Sequence, residues 1–184
     1  MGWLKDKNKH MEEELPGRVE QLKEDSLTPI KQIALSAILT ALAVILSPLF
    51  IQLGTTKCFP IQHMINAIAG ILLGPWYAAI VALTTGMIRN ALGLGTIYAF
   101  PGGIPGALVV GFLRNHLKDD YAALTEPLGT VMIGATLSAL IFAPWLGHPF
   151  SLFFFWTAFA ASSIPGSILG FIVLKALRRS GVIK

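Results

Sequence analysis

Between Gln32 and Leu113 the chain carries only two charged side chains, Lys57 and Arg89. Seven of its ten acidic residues lie before residue 26, and the other three are Asp119, Asp120 and Glu126. Four charge-free windows result: residues 32–56, 58–88, 92–113 and 127–174. A helix that crosses a bilayer needs roughly 20 apolar residues, so these windows hold five or six spans. Overall 54% of the residues are apolar and 13% charged, against about a quarter charged in a soluble domain. A soluble enzyme, a disulfide-stapled secreted scaffold and a nucleic-acid-binding domain are excluded. The sequence reads as an all-α integral membrane protein.

The net charge of +4 belongs to span ends as a topology signal, and no nucleic-acid partner follows from it. The single cysteine, Cys58, forms no internal disulfide framework. Residues 1–28 form a polar leader with no apolar stretch behind their basic residues, so they do not read as a cleavable signal. A solvated cytoplasmic tail is the expectation for them.

The first span covers residues 30–50. Residues 101–117, 128–146 and 152–176 supply three more. Residues 59–88 are too long for one span and short for two, and Gly74-Pro75 divides them, because proline disfavours helix in the residue before it. The resulting pieces, residues 61–73 and 76–90, are about 20 and 22 Å long at 1.5 Å per residue. Both are shorter than an ordinary span, so their ends require protein-lined or water-filled recesses.

Basic clusters at Lys31, at Arg114 and Lys118, and at Lys175, Arg178, Arg179 and Lys184 belong in the cytoplasm. An even number of spans is then needed between Lys31 and Arg114, and only the split at Gly74-Pro75 gives four. The expectation is a six-transmembrane-helix bundle over residues 29–179 with both termini cytoplasmic and a short basic tail, residues 180–184. Lys57 and Arg89 fall towards the outside in this arrangement.

That topology gathers the polar side chains. Gln62, His63 and Asn66 fall in the outer first turns of the second helix, at spacings of three and four that share a helix face. Arg89 and Asn90 end the third helix on the same side, and Thr96 and Tyr98 follow in an outer loop rich in glycine and proline. Polar groups at membrane depth are costly unless they pair or line a cavity, which makes this set the candidate binding site. A face of this kind hydrogen-bonds a heteroaromatic nitrogen and a hydroxyl, and Arg89 suits an anionic group or a helix C-terminal carbonyl. Trp145 and Trp156 suit an interfacial belt, Trp156 being also a candidate stacking ring. His148 reads as a polar loop residue.

Small residues recur four apart at Gly70/Gly74, Gly102/Gly106 and Gly166/Gly170, the spacing of close helix packing. Ala34, Ala37 and Ala41 form a similar stripe on the first helix. On a peripheral helix such a stripe is a docking surface for a partner's helix.

Enzymatic and cofactor signatures are missing. There is no P-loop, no G-x-S-x-G and no H-E-x-x-H sequence. Cys58, His63 and His148 have no regular metal-ligand spacing. Asp119, Asp120 and Glu126 are expected together in a cytoplasmic loop, which leaves no acid at depth to couple ions. No cofactor and no metal are expected, and an integral membrane enzyme lacks an acid, base or nucleophile constellation.

The stretch FPIQHMINAIAGILLGPWYA, residues 59–78, resembles the substrate-binding (S) components of energy-coupling factor (ECF) transporters. More narrowly it is similar to the ThiW group, assigned to the thiazole precursor of thiamine. IRNALGLGT (residues 88–96) and AFPGGIPGAL (residues 99–108) fit the same group. The resemblance implies a six-helix bundle in a bacterial or archaeal cytoplasmic membrane that binds its vitamin precursor, hydroxyethylthiazole, from outside. It also implies docking with a transmembrane coupling subunit and two cytoplasmic ATPase subunits. The A-x-x-x-A docking motif of the family maps to Ala37 and Ala41. An S component for another thiamine-related or heteroaromatic compound is the alternative.

Overall fold

The computed structural model describes residues 28–53, 56–117, 119–147 and 151–183. The polar leader up to residue 27, Thr55, Lys118, His148 and Lys184 lie outside them. By its internal contacts the chain divides into residues 1–32 and residues 33–184, and the packing described below lies within the second unit.

Six helices occur among the described residues: α1 (Pro29–Ile45), α2 (Pro60–Leu73), α3 (Pro75–Ala91), α4 (Ala99–Leu113), α5 (Asp120–Trp145) and α6 (Leu152–Arg179). A short antiparallel hairpin, β1 (Ile51–Leu53) with β2 (Thr56–Cys58), occupies what the sequence reads as loop and sets Gln52 opposite Lys57. Among the described residues the fold is therefore all-α apart from six residues of strand. α5 and α6 are each long and apolar enough to cross a bilayer.

The break at Gly74 is built, not frayed. Its φ of 83° lies in the left-handed region that glycine tolerates. Pro75 then opens α3 where its missing N–H costs nothing. Arg114 at the end of α4 donates to the Ile71 carbonyl at 3.2 Å, serving one of the bare carbonyls at the end of α2. The two short helices meet against α4, so the turn is covered by protein.

α2 is the central helix. It spans about 21 Å at 1.5 Å per residue and is buried on nearly every side, Ala67 and Ala69 having no exposed surface. Gly166 and Gly170 of α6 allow this. A Cβ at Gly166 would collide with the Pro60 carbonyl and lie 2.6 Å from the His63 Cβ, and one at Gly170 would lie 2.9 Å from Ala67. Gly70 of α2 takes the Val110 side chain of α4 in the same way. These small-residue pairs serve packing within the chain.

α5 departs from α-helical winding. Its first turns belong to the 3₁₀ segment Asp119–Thr125, which starts one residue ahead of it, and it is wound as a π-helix over Leu128–Ala135 and Ser138–Phe142. The sequence has a reason for this. Buried small residues recur at Gly129, Gly134, Ser138 and Ala143, with Thr130, Ala135 and Ala139 beside them. A stripe that repeats every four or five residues stays on one face only when a turn holds more than 3.6 residues. The stripe seats on α4, where Gly134 abuts the carbonyl of Pro101 and Gly129 that of Pro105. Pro105 cannot donate to the Pro101 carbonyl, so α4 offers irregular backbone at this contact.

This geometry corrects the sequence reading of Glu126. The residue lies inside α5, not in a loop, and no part of it is exposed. The helix begins at Asp120, several residues earlier than its apolar window, because Asp120 is itself held by Arg178 of α6 at 2.8 and 2.9 Å.

α1 is the peripheral helix. Leu39, Ala43 and Ser36 are buried, and a Thr40–Thr84 hydroxyl contact at 3.2 Å ties it to α3. Ala34, Ala37 and Ala41 are exposed together with Ile33, Ile38 and Leu42, a continuous apolar face left uncovered among the described residues.

Candidate functional site

Directly above the start of α2 lies a cavity of about 520 Å³, within the range of small-molecule sites. β2, α2, α3, α4, α6 and the loop after α3 all contribute to its wall. Ser162 fixes its base, because its hydroxyl accepts the Phe59 N–H at 3.2 Å and so pins the first residue before α2 to α6.

One side of the cavity is polar. Arg89 projects from the last turn of α3 and is 1% exposed. Its Nη1 donates to Oε1 of Gln62, its Nη2 donates to the Leu94 carbonyl at 3.3 Å, and its guanidinium lies 4.3 Å over the Phe59 ring. Its Nε is buried without a partner among the described residues. His63 stands beside Gln62, with Nδ1 2.7 Å from Glu126 Oε1. Lys57 of β2 also lines the cavity, its ammonium 4.6 Å over Phe50. No carboxylate lines the wall among the described residues. Glu126 sits behind His63, which screens it from the open space.

The opposite side is aromatic. Tyr98 packs 5.0 Å from Phe155, which packs 5.6 Å from Phe154 and 6.0 Å from Phe159. Rings at these separations meet edge-on or tilted and give the cavity an aromatic side. Gly102 and Gly103 of α4 complete the wall. A side chain at Gly103 would press on the Gln62 amide, 3.0 Å from its Cβ position.

The structure brings Gln62, His63, Arg89, Thr96 and Tyr98 to the cavity and leaves three expected residues outside its wall. Asn66 donates to the Gly103 carbonyl at 3.2 Å and lies 3.5 Å from Glu126. Asn90 donates to Gly86 and Thr96 carbonyls at 2.8 and 3.1 Å and so ties the loop after α3 to its helix. Trp156 donates through Nε1 to Thr136 at 3.1 Å and thus braces α6 on α5. Of their partners, Gly103 and Thr96 line the cavity and Thr136 does not.

Sequence reasoning missed Phe59, Phe154, Phe155, Phe159 and Glu126. The phenylalanines sit in an apolar run whose composition is equally that of a lipid-facing helix. Glu126 stands just ahead of the stripe of small residues, but Pro127 beside it reads as a helix start and left it outside the expected span.

The match of the chain to known families now has a site to explain. Residues 33–180 match the family model described as thiamine-precursor transporter protein (ThiW). The chain belongs to the ThiW family. Comparison with curated proteins and with solved structures gives no match. Membership in the ThiW family makes the chain a transporter component and not an enzyme, with a small-molecule substrate and a membrane setting. A cavity with a polar side and an aromatic side is what such a component needs.

Proposed function

We propose that this chain is the membrane-embedded substrate-binding (S) component of an ECF importer that captures hydroxyethylthiazole from outside. In this reading α1 to α6 form a six-helix transmembrane bundle with both termini in the cytoplasm of a bacterium or archaeon. A transmembrane coupling subunit and two ATPase subunits supply the energy for delivery.

The observation that carries the reading is the cavity. A thiazole ring is planar, polarisable and weakly basic, and it fits between the Tyr98–Phe155–Phe159 side and the Gln62–His63–Arg89 side. Gln62 and Arg89 offer donors to the ring nitrogen, and His63 offers a ring nitrogen to the hydroxyl. A cavity of this size is generous for so small a ligand and leaves room for ordered water. Thr96 and Tyr98 complete the candidate contacts.

Docking is supported by α1. Its exposed Ala34, Ala37 and Ala41 let a partner helix approach closely, and in a bilayer such packing, not the hydrophobic effect, drives association. Proteoliposomes test the assembly. Labelled hydroxyethylthiazole should accumulate only when this chain, the coupling subunit, the ATPases and ATP are all present. Accumulation with this chain alone contradicts the S-component reading.

A further inference from the structure

We propose that Glu126 is a positioning residue for the ligand: it holds the proton of His63 on Nδ1 and thereby presents Nε2 to the cavity as an acceptor for a ligand hydroxyl. Three side chains converge on the same carboxyl oxygen. His63 Nδ1 and Thr130 Oγ1 each lie 2.7 Å from Oε1, and Asn66 Nδ2 lies 3.5 Å from it. An amide N–H only donates, and the Thr130 hydroxyl donates here as well, so Oε1 acts as the acceptor of the cluster. The Nδ1 of His63 at that distance then carries the proton.

A neutral imidazole has one donor and one acceptor nitrogen, and the partner of one fixes the role of the other. With Nδ1 committed, Nε2 is the only polar atom that His63 has left for the cavity that its ring lines. The cluster is built to hold this state. Glu126 has no exposed surface, and the Thr130 hydroxyl, with one proton to give, lies nearer Oε1 at 2.7 Å than the Gly102 carbonyl at 3.1 Å. Gly106 makes the room, since a Cβ there would strike both Glu126 and Thr130. Gly166 lets α6 close on the His63 Cβ from the other side. The ring is thus clamped in orientation as well as in tautomer.

The choice of a hydroxyl as the ligand group rests on the thiazole reading above, whereas the tautomer does not, and the experiment separates the two. ¹⁵N-histidine NMR of the purified full chain in detergent, with His63 assigned through His63→Gln, should show Nδ1 protonated and Nε2 bare. A proton on Nε2 overturns the proposal. In parallel, binding of hydroxyethylthiazole is compared with that of 5-ethyl-4-methylthiazole, which lacks the hydroxyl. Wild type should prefer the hydroxyl compound by about tenfold, the worth of one good hydrogen bond. Glu126→Leu should abolish that preference, and Glu126→Gln, whose amide oxygen still accepts from Nδ1, should retain part of it. Equal weakening of both compounds with an unchanged ratio makes Glu126 merely structural and overturns the proposal. If Glu126→Leu does not fold, the wild-type spectrum and Glu126→Gln decide. A wild-type chain that binds neither compound contradicts the thiazole reading, and the spectrum alone then decides the role of Glu126.

Discussion

The guanidinium of Arg89 lies 4.3 Å over the centroid of the Phe59 ring, and the same group donates to Gln62. A buried cation is thereby fixed on a ring face at the wall of the cavity. Such a stack contributes on the order of 0.5–2 kcal/mol, and the planar fork of arginine reaches Gln62 and Leu94 together. Lysine has neither the plane nor the fork. Arg89→Lys should therefore weaken ligand binding by about tenfold or more and lower the unfolding midpoint in detergent. Unchanged affinity in a titration would remove Arg89 from the site.

Phe59 tests the same relationship from the other partner. Phe59→Leu keeps the apolar volume but removes the π face, so it should cost about 1 kcal/mol of stability or binding. In the double variant with Arg89→Ala the losses should fall short of additive, because one interaction is removed twice. Full additivity in a double-mutant cycle would show that the stack has no energetic role.

How much of this was open to sequence reading depends on what each residue answers to. The division at Gly74-Pro75 was legible because proline and a glycine of positive φ act locally. Gln62, His63 and Arg89 stood out because polar groups are rare in so apolar a chain. Asn90 and Trp156 were equally conspicuous, yet their donors bond Gly86, Thr96 and Thr136, partners that no spacing rule reveals. Phe155 and Phe159 were illegible for the opposite reason, since periodicity does not distinguish a cavity from lipid. Glu126 was misplaced because two neighbouring aspartates made it look like loop, and only the fold brings His63 to it.

The ion pair between Asp120 and Arg178 predicts an asymmetry. Asp120 is fully buried, whereas the Arg178 side chain is 36% exposed. Arg178→Ala leaves a carboxylate in a buried place, at a cost of about 3 kcal/mol or more. Asp120→Asn leaves an acceptor for Arg178, whose charge still reaches water, and should cost about 1 kcal/mol. Chemical unfolding of both variants measures the difference, and equal losses would contradict the burial argument.

Gly166→Ala should be disruptive despite its size. The added methyl meets the Pro60 carbonyl and the His63 side chain, and overpacking of this kind costs about 1–3 kcal/mol. Because His63 is displaced, affinity should fall along with stability. A variant of normal affinity and normal unfolding midpoint would show that α6 does not close on α2 at this point.

Ala37 is exposed on α1, remote from the cavity wall. Ala37→Trp should abolish co-purification with the coupling subunit and leave ligand affinity within twofold or so of wild type, since a surface substitution away from the site changes little. An intact complex would mean that the partner docks elsewhere.

The cavity between Arg89 and Phe155 should capture a thiazole. Isothermal titration of the purified chain with hydroxyethylthiazole, with thiamine as the competitor, tests it most directly. One saturable site of micromolar or tighter affinity, about −8 kcal/mol or better, is expected, weakened by Arg89→Lys and by Tyr98→Ala. Absence of saturable binding, or binding that neither substitution changes, would contradict it.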